Sequence, residues 1–252
     1  AMDGLFTGPA SERRRFLDRL VATFDPAFRT LATHFERAMR QRNKLLEDGV
    51  REAARFAGLE RVMAESGVAI AAARATAATA LSSVIARAHA SDPQGPFPWA
   101  DIALDGLLEA EIRQRPAVEA EDRYAAALAE RRERDRAAGR TLDGPHRTDL
   151  IVRHGPKSMP ASASSTGEQK ALLVGLVLAQ AELLALRRDG DPPLLLLDEI
   201  AAHLDSDRRR GLFDRLLRLG AQAWMTGTDQ EPFEALAERA QRVDLGGERD
   251  AA

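Results

Sequence analysis

Cysteine is absent from the 252 residues of this chain. That excludes disulfides and thiolate metal sites, and it fits a reducing cytosol. Charge of one sign is also lacking: 36 basic residues face 39 acidic ones, a balance of −3. Nothing global therefore draws the chain to a polyanion, although a local basic stripe would be enough. No unbroken apolar run approaches the ~20 residues that span a bilayer, so no membrane association is expected. The opening Ala-Met-Asp-Gly-Leu-Phe carries neither the basic nor the apolar region of a secretion signal. Lysine is scarce, while Ala, Arg, Leu and Asp abound, a composition suggesting a GC-rich bacterial genome. There is no internal repeat.

What is present divides by texture. Phe16, Leu17, Leu20, Val21 and Phe24 recur at helical spacing behind Ser11, a candidate cap. Asp25-Pro26 breaks that helix, and Phe28, Leu31, Phe35, Met39, Leu45 and Leu46 continue the stripe. Residues 50–89 are Ala-rich and charged and read as one or two long helices. A Pro- and Gly-containing loop, 91–98, leads to a short strand near Trp99, Ile102 and Leu104. Residues 118–138 are dense in opposite charges, most simply a solvated helix with ion pairs. Beyond Gly139 come a hairpin-like piece (141–154), an apolar helix (171–186) and a fully buried strand (194–197). A helix (208–219), a strand (223–226), a helix (232–240) and a last strand (242–245) follow. Strands alternating with helices point to a parallel sheet with helical crossovers.

The strongest chemical signal is Leu194-Leu195-Leu196-Leu197-Asp198-Glu199. A buried strand ending in two acids places them where parallel sheets bind ligands. An aspartate there can hold Mg²⁺, and a glutamate can polarise an attacking water. The plain alternative is a core strand ending in a solvated acidic turn. Leu204-Asp205 follows at loop distance and opens the next helix. Upstream, Ser164-Ser165-Thr166-Gly167-Glu168-Gln169-Lys170 starts the apolar helix. Its free N–H groups and dipole suit a phosphate; its plain reading is an ordinary serine cap with a first-turn glutamate.

In order, these pieces look like the signature, Walker B and D-loop of ABC-type ATPases. Ser165-Thr166-Gly167-Glu168-Gln169-Lys170-Ala171-Leu172-Leu173, Gly144-Pro145-His146-Arg147-Thr148-Asp149-Leu150 and Arg13-Arg14-Arg15-Phe16-Leu17-Asp18 resemble words of the RecF family. Thr226-Gly227-Thr228-Asp229 stands at the place of the switch loop. The resemblance runs from residue 1 to about 245 and is thin between 50 and 119. It implies an α/β fold: an ABC-ATPase-like (P-loop NTPase) lobe with a mostly parallel sheet, plus an inserted helical arm. Residues 1–28 would end an N-terminal ATPase-lobe segment, 29–138 form the arm, and 139–252 complete the lobe. It further implies ATP and Mg²⁺ as cofactors, an ATP-dependent homodimer and a cytoplasmic setting. DNA at single-strand/double-strand junctions, RecR/RecO-type mediators and RecA loading would be its partners and task.

The same resemblance implies roles. Ser165 and Gly167 would contact the γ-phosphate across the dimer, Asp198 would serve Mg²⁺, and Glu199 would act on the attacking water. Asp205 would couple the two sites and Thr228 would make the switch contact. Arg13 and Arg15 are DNA-binding candidates, although a basic run is more often a solvated helix face. His146 and Arg147 stand between surface loop and a nucleotide or DNA role, and Arg208 is unassigned. One departure matters: no G-x-x-x-x-G-K-[S/T] occurs in the 252 residues. The first strands of the sheet and the phosphate loop are therefore expected to lie before residue 1. Competing readings are another SMC-like or overcoding-type ATPase head, a vestigial interaction module, or an unrelated nucleotide hydrolase. The absence of sustained heptads between 29 and 138 speaks against a long coiled-coil arm.

Overall fold

A computed structural model describes residues 4–200, 204–236 and 238–244. Three helices lead: α1 (Ala10–Phe24), α2 (Phe28–Glu47) and α3 (Ala53–Ser91). Pro9, not Ser11, stands at the start of α1, and no side chain caps it. Proline is tolerated there because the first N–H groups of a helix have no internal acceptor. The break at Asp25-Pro26 is as the sequence predicts. The Ala-rich stretch is a single helix of 39 residues, roughly 58 Å long at 1.5 Å per residue.

Strand β1 (Ala100–Asp105) is followed by α4 (Leu107–Ile112), α5 (Ala117–Glu130) and α6 (Arg132–Ala137). Then β2 (Asp149–His154) runs antiparallel to β1, with Ile102 opposite Val152, and β3 (Met159–Pro160) pairs with the end of β2. The hairpin expected over 141–154 is thus replaced by a long-range pairing. Gly144-Pro145 makes the predicted turn, with Gly144 at φ +140°. A Cβ there would lie 2.3 Å from the Tyr124 hydroxyl, so only glycine fits.

The last layer holds α7 (Thr166–Arg187), β4 (Leu195–Leu197), α8 (Ser206–Leu219) and β5 (Ala223–Met225). Here the predicted parallel pairing is realised: β4 and β5 run parallel, with Leu196 opposite Trp224. Among the described residues it is confined to these two strands, and the larger sheet is antiparallel. Strand β4 is not buried on both faces as its apolar run suggests. Leu195 and Leu197 point inward, while Leu196 is 75% exposed beside an exposed Trp224, because α7 and α8 cover one face only. Past β5, residues 231–236 form a 3-10 turn where the sequence predicts an α-helix. Residues 242–244 are irregular, and Leu245 of the expected last strand lies outside the described residues.

Two hydrophobic cores result. One gathers α1 to α5, β1 and β2 with Leu172, Leu176, Ala179 and Leu183 of α7. The other takes Val174, Leu178 and Ala181 from the opposite side of α7 and packs them on β4, α8 and Leu236. Helix α7 is shared between them, which explains why it is apolar all round. By length and composition α3 and α7 could each cross a membrane, but 50% and 56% of their apolar windows are buried in these cores.

The charged stretch around α5 and α6 is not merely a solvated face. Arg42 on α2 is fully buried and donates to Glu60 at 3.1 Å, to Asp135 and Thr141 at 2.8 Å, and to the Leu128 carbonyl at 2.7 Å. Arg132 closes on the other side of Glu60. Every charge in this buried network thus has a partner, which is the condition for burying it at all. Above this network Gly67 lets α3 approach its neighbours: a Cβ would meet Tyr124, Leu108 and Phe35 at 3.2–3.4 Å.

Candidate functional site

The parallel register that pairs Leu197 with Met225 brings the next residues, Asp198 and Thr226, side by side. The Thr226 hydroxyl donates to Asp198 Oδ1 at 2.5 Å and accepts the Glu199 N–H at 3.1 Å. The Thr226 N–H continues the ladder to the Leu197 carbonyl at 3.1 Å. One hydroxyl therefore fixes the Asp198 carboxylate and the Glu199 backbone. Glu199 sits at φ +49°, a left-handed conformation that costs a non-glycine residue about 1–2 kcal/mol. Both carboxylates are exposed. Asp198 and Thr226 offer hard oxygen donors, the kind Mg²⁺ takes beside waters and phosphates. Among the described residues no group of three or more His, Cys, Asp or Glu side chains forms a complete metal cage.

Ser165 caps α7. Its hydroxyl accepts the Glu168 N–H at 3.4 Å, and Glu168 Oε2 accepts the Ser165 N–H at 3.1 Å, a reciprocal capping box. Lys157 lies 2.5 Å from the other oxygen of Glu168. This ammonium, followed by the Ser165 backbone and hydroxyl, holds the Glu168 carboxyl down to about 2. Ser164 is buried, and its hydroxyl has no hydrogen-bond partner among the described residues. At Gly167 an added Cβ would meet only Arg208 Nη1 among the described residues, at 3.9 Å, so their packing does not demand glycine there.

Asp205 caps α8 by accepting the Arg208 N–H at 2.8 Å. The Arg208 guanidinium returns to Asp205 at 3.3 Å and donates to the Pro96 carbonyl, also at 3.3 Å. Arg208 thereby ties the start of α8 to the loop that returns from α3, and it reaches the start of α7 at Gly167. Gly211 lets that loop in: a Cβ would sit 2.4 Å from Pro96.

No family model matches the chain. The DNA replication and repair protein RecF of Mesorhizobium japonicum is 58% identical over 248 residues, which are 98% of this chain and 64% of that protein. RecF of Rhizobium etli is 57% identical over 96% of this chain and 63% of its own length. Over nearly its whole length this chain is similar in sequence to RecF. It spans slightly less than two thirds of these relatives. The solved structure of the recombination mediator protein RecF-ATPrS in the RecFOR pathway superposes with a TM-score of 0.76 at 20% identity, covering 92% of this chain and 61% of that one. A second, RecF-ATP, gives 0.75. These likenesses show the fold, mixed α/β with a helical arm.

On this RecF-type fold the residues named from sequence fall into two groups. Asp198 and the Glu199 backbone meet at Thr226; Asp205 pairs with Arg208, whose guanidinium lies near Gly167. Thr228 joins neither: among the described residues its hydroxyl only donates to the adjacent Asp229, at 3.2 Å. Thr226 lies within the segment that the sequence resemblance sets at the place of the switch loop, and its signal is its place directly after β5, in register with the position after β4. Arg13 grips Asp149 through two hydrogen bonds of 2.7 and 2.8 Å and also donates to the Gly8 carbonyl. That ion pair holds Arg13 above its ordinary value, and it joins two of the RecF-like words, one on α1 and one on β2. Arg15 is exposed and, among the described residues, pairs only with Glu12 on its own helix. His146 is partly buried, stacks on Phe35 and contacts the Thr141 carbonyl at 3.1 Å. Burial pushes its imidazole below the usual value. Arg147 is exposed.

Proposed function

We propose that this chain supplies the signature, Walker B and D-loop side of an ATP-dependent DNA-binding protein of recombinational repair. In this reading the full-length protein is cytoplasmic, dimerises around ATP, engages DNA at single-strand/double-strand junctions and, with RecR/RecO-type mediators, helps load RecA at gaps. The observation that carries it is the Asp198–Thr226–Glu199 arrangement at the carboxyl end of a parallel strand pair, in a chain 58% identical to a DNA replication and repair protein RecF. Asp198 would hold Mg²⁺, and Glu199 would orient and polarise the attacking water. The metal would supply charge neutralisation at the phosphates. Thr226 joins the Asp198 carboxylate to the Glu199 backbone, and we assign it the switch contact ahead of Thr228.

Ser165 and Gly167 would meet the γ-phosphate held by a second subunit. Two features support that assignment. The first N–H groups of α7 have no intrahelical acceptor, and the bare Gly167 leaves the helix start open. Asp205, held by Arg208, would report on that contact. Residues 29–138 would form the arm, with β1 returning from it to the sheet of the ATPase lobe. Residues 1–28 and 139–252 would belong to the lobe itself. Arg15 is the stronger DNA candidate, since the guanidinium of Arg13 is already engaged by Asp149.

Because the 252 residues hold no G-x-x-x-x-G-K-[S/T], the chain by itself should neither retain ATP nor turn it over. Measurable turnover that Glu199→Gln abolishes would overturn this. Mixed with an intact relative whose own signature serine is replaced, the chain should restore hydrolysis, whereas Ser165→Arg should not. Equal rescue by both would remove Ser165 from the site.

A further inference from the structure

Helices α1 and α2 meet at the break Asp25-Pro26 and leave a shallow groove of about 480 Å³ between them. Its polar walls are Arg14, Arg15, Arg19 and Arg29 against Asp18 and Glu36. Both acids are already neutralised from outside the groove. Arg74 of α3 grips Asp18 through hydrogen bonds of 2.7 and 2.9 Å, and Arg40 pairs with Glu36 at 3.5 Å. Arg15 is shared only with Glu12. Arg19 and Arg29 are exposed and have no charged partner among the described residues. Arg14 is held in place by donating to the Thr148 carbonyl at 2.7 Å. Burial, and then the nearby Arg74, weaken its hold on its proton, against a smaller opposing pull from Asp18 and Asp149. A chain of net charge −3 thus concentrates uncompensated arginine in one place, at an electrostatic cost that a bound anion would relieve.

We propose that the groove between α1 and α2 is a binding surface for the phosphodiester backbone of nucleic acid. Arg15 and Arg19 lie one helical turn apart on α1, about 6 Å along its axis, while each strand of DNA presents a charge every ~3.4 Å. The two guanidiniums can therefore reach phosphates of one strand, with Arg29 facing them from α2. The floor is apolar and closed, formed by Ala22, Ala32 and the buried Phe28. No aromatic face is presented for a base to stack on, so contact is with the backbone and independent of sequence. The proposal rests on the DNA-repair reading above and assigns it a surface.

The test is fluorescence anisotropy of the full chain with a labelled junction DNA, read as the slope of log affinity against log salt. Arg19→Gln with Arg29→Gln should lower the slope by roughly 2, about 0.9 for each phosphate no longer neutralised. Neither side chain supports the core, so circular dichroism should be unchanged. Arg51→Gln, beyond the far end of α2 and roughly 30 Å away, should leave the slope as it is. A wild-type chain that binds DNA, with the double variant keeping its slope, would overturn the groove and leave the DNA reading standing. Failure of the wild-type chain to bind DNA at low salt would overturn both. Displacement of the DNA by an oligoglutamate of matched charge, at equal concentration, would instead make this a docking site for an acidic protein.

Discussion

The region where α2, α3, α5 and α6 meet and the strand pair β4–β5 treat charge in opposite ways. In the first, Arg42, Glu60 and Asp135 are sealed in the interior and satisfy one another completely. In the second, Asp198 and Glu199 stand exposed, a single threonine hydroxyl meeting the carboxylate of one and the backbone N–H of the other, which is on a disfavoured backbone. Stability is concentrated where no chemistry is proposed. The proposed chemistry sits where the chain is thinly packed, with Leu196 and Trp224 exposed on the outer face of the same strands. Carboxylates meant for a metal and a water must stay accessible and charged; a structural carboxylate is best paired and dry.

The sharpest way to break this comparison is at Arg42. Arg42→Ala leaves two buried carboxylates unpaired and should cost roughly 3–5 kcal/mol, seen as a large drop in the urea midpoint. A loss below about 1 kcal/mol would show that water replaces the guanidinium. A smaller effect of opposite sign is expected at Glu199. Glu199→Gly relieves the left-handed backbone and should stabilise the chain by up to about 1 kcal/mol, whereas Glu199→Gln should leave stability unchanged. If both variants are neutral, the backbone there is not strained. The smallest effect concerns Glu168. Its carboxyl is depressed to about 2 by Lys157 and Ser165, so its contribution is present above the ordinary carboxylate range and fades as pH falls toward 2. Lys157→Ala should move the Glu168 titration, followed by NMR, back toward 4.5. An unmoved titration would leave the capping box alone responsible.

Much of the site was legible because it is local. The acidic pair after β4, the serine cap of α7 and the Asp205 cap of α8 each follow from a few adjacent residues, and the RecF-like words fixed their order. Thr226 and Arg208 were harder to read. Their roles depend on which residue the parallel register sets beside Asp198, and on a loop more than a hundred residues upstream reaching α8. The DNA candidates shifted for the same reason. Arg13 and Arg15 look alike in sequence, yet Asp149, far along the chain, claims one of them.

The sequence by itself determined most of the longer helices, the break at Asp25-Pro26, the order of the ATPase-like motifs and the likeness to RecF. These rest on short-range periodicity, turn chemistry and residue identity. Only the tertiary structure decided that β1 pairs with β2 instead of a local hairpin forming. It also decided that the charged α5–α6 stretch turns inward onto Arg42, and that α7 serves two cores. Such choices depend on which surfaces meet across long separations in the chain. Apolar area and buried charge have no address until a partner arrives to cover or neutralise them.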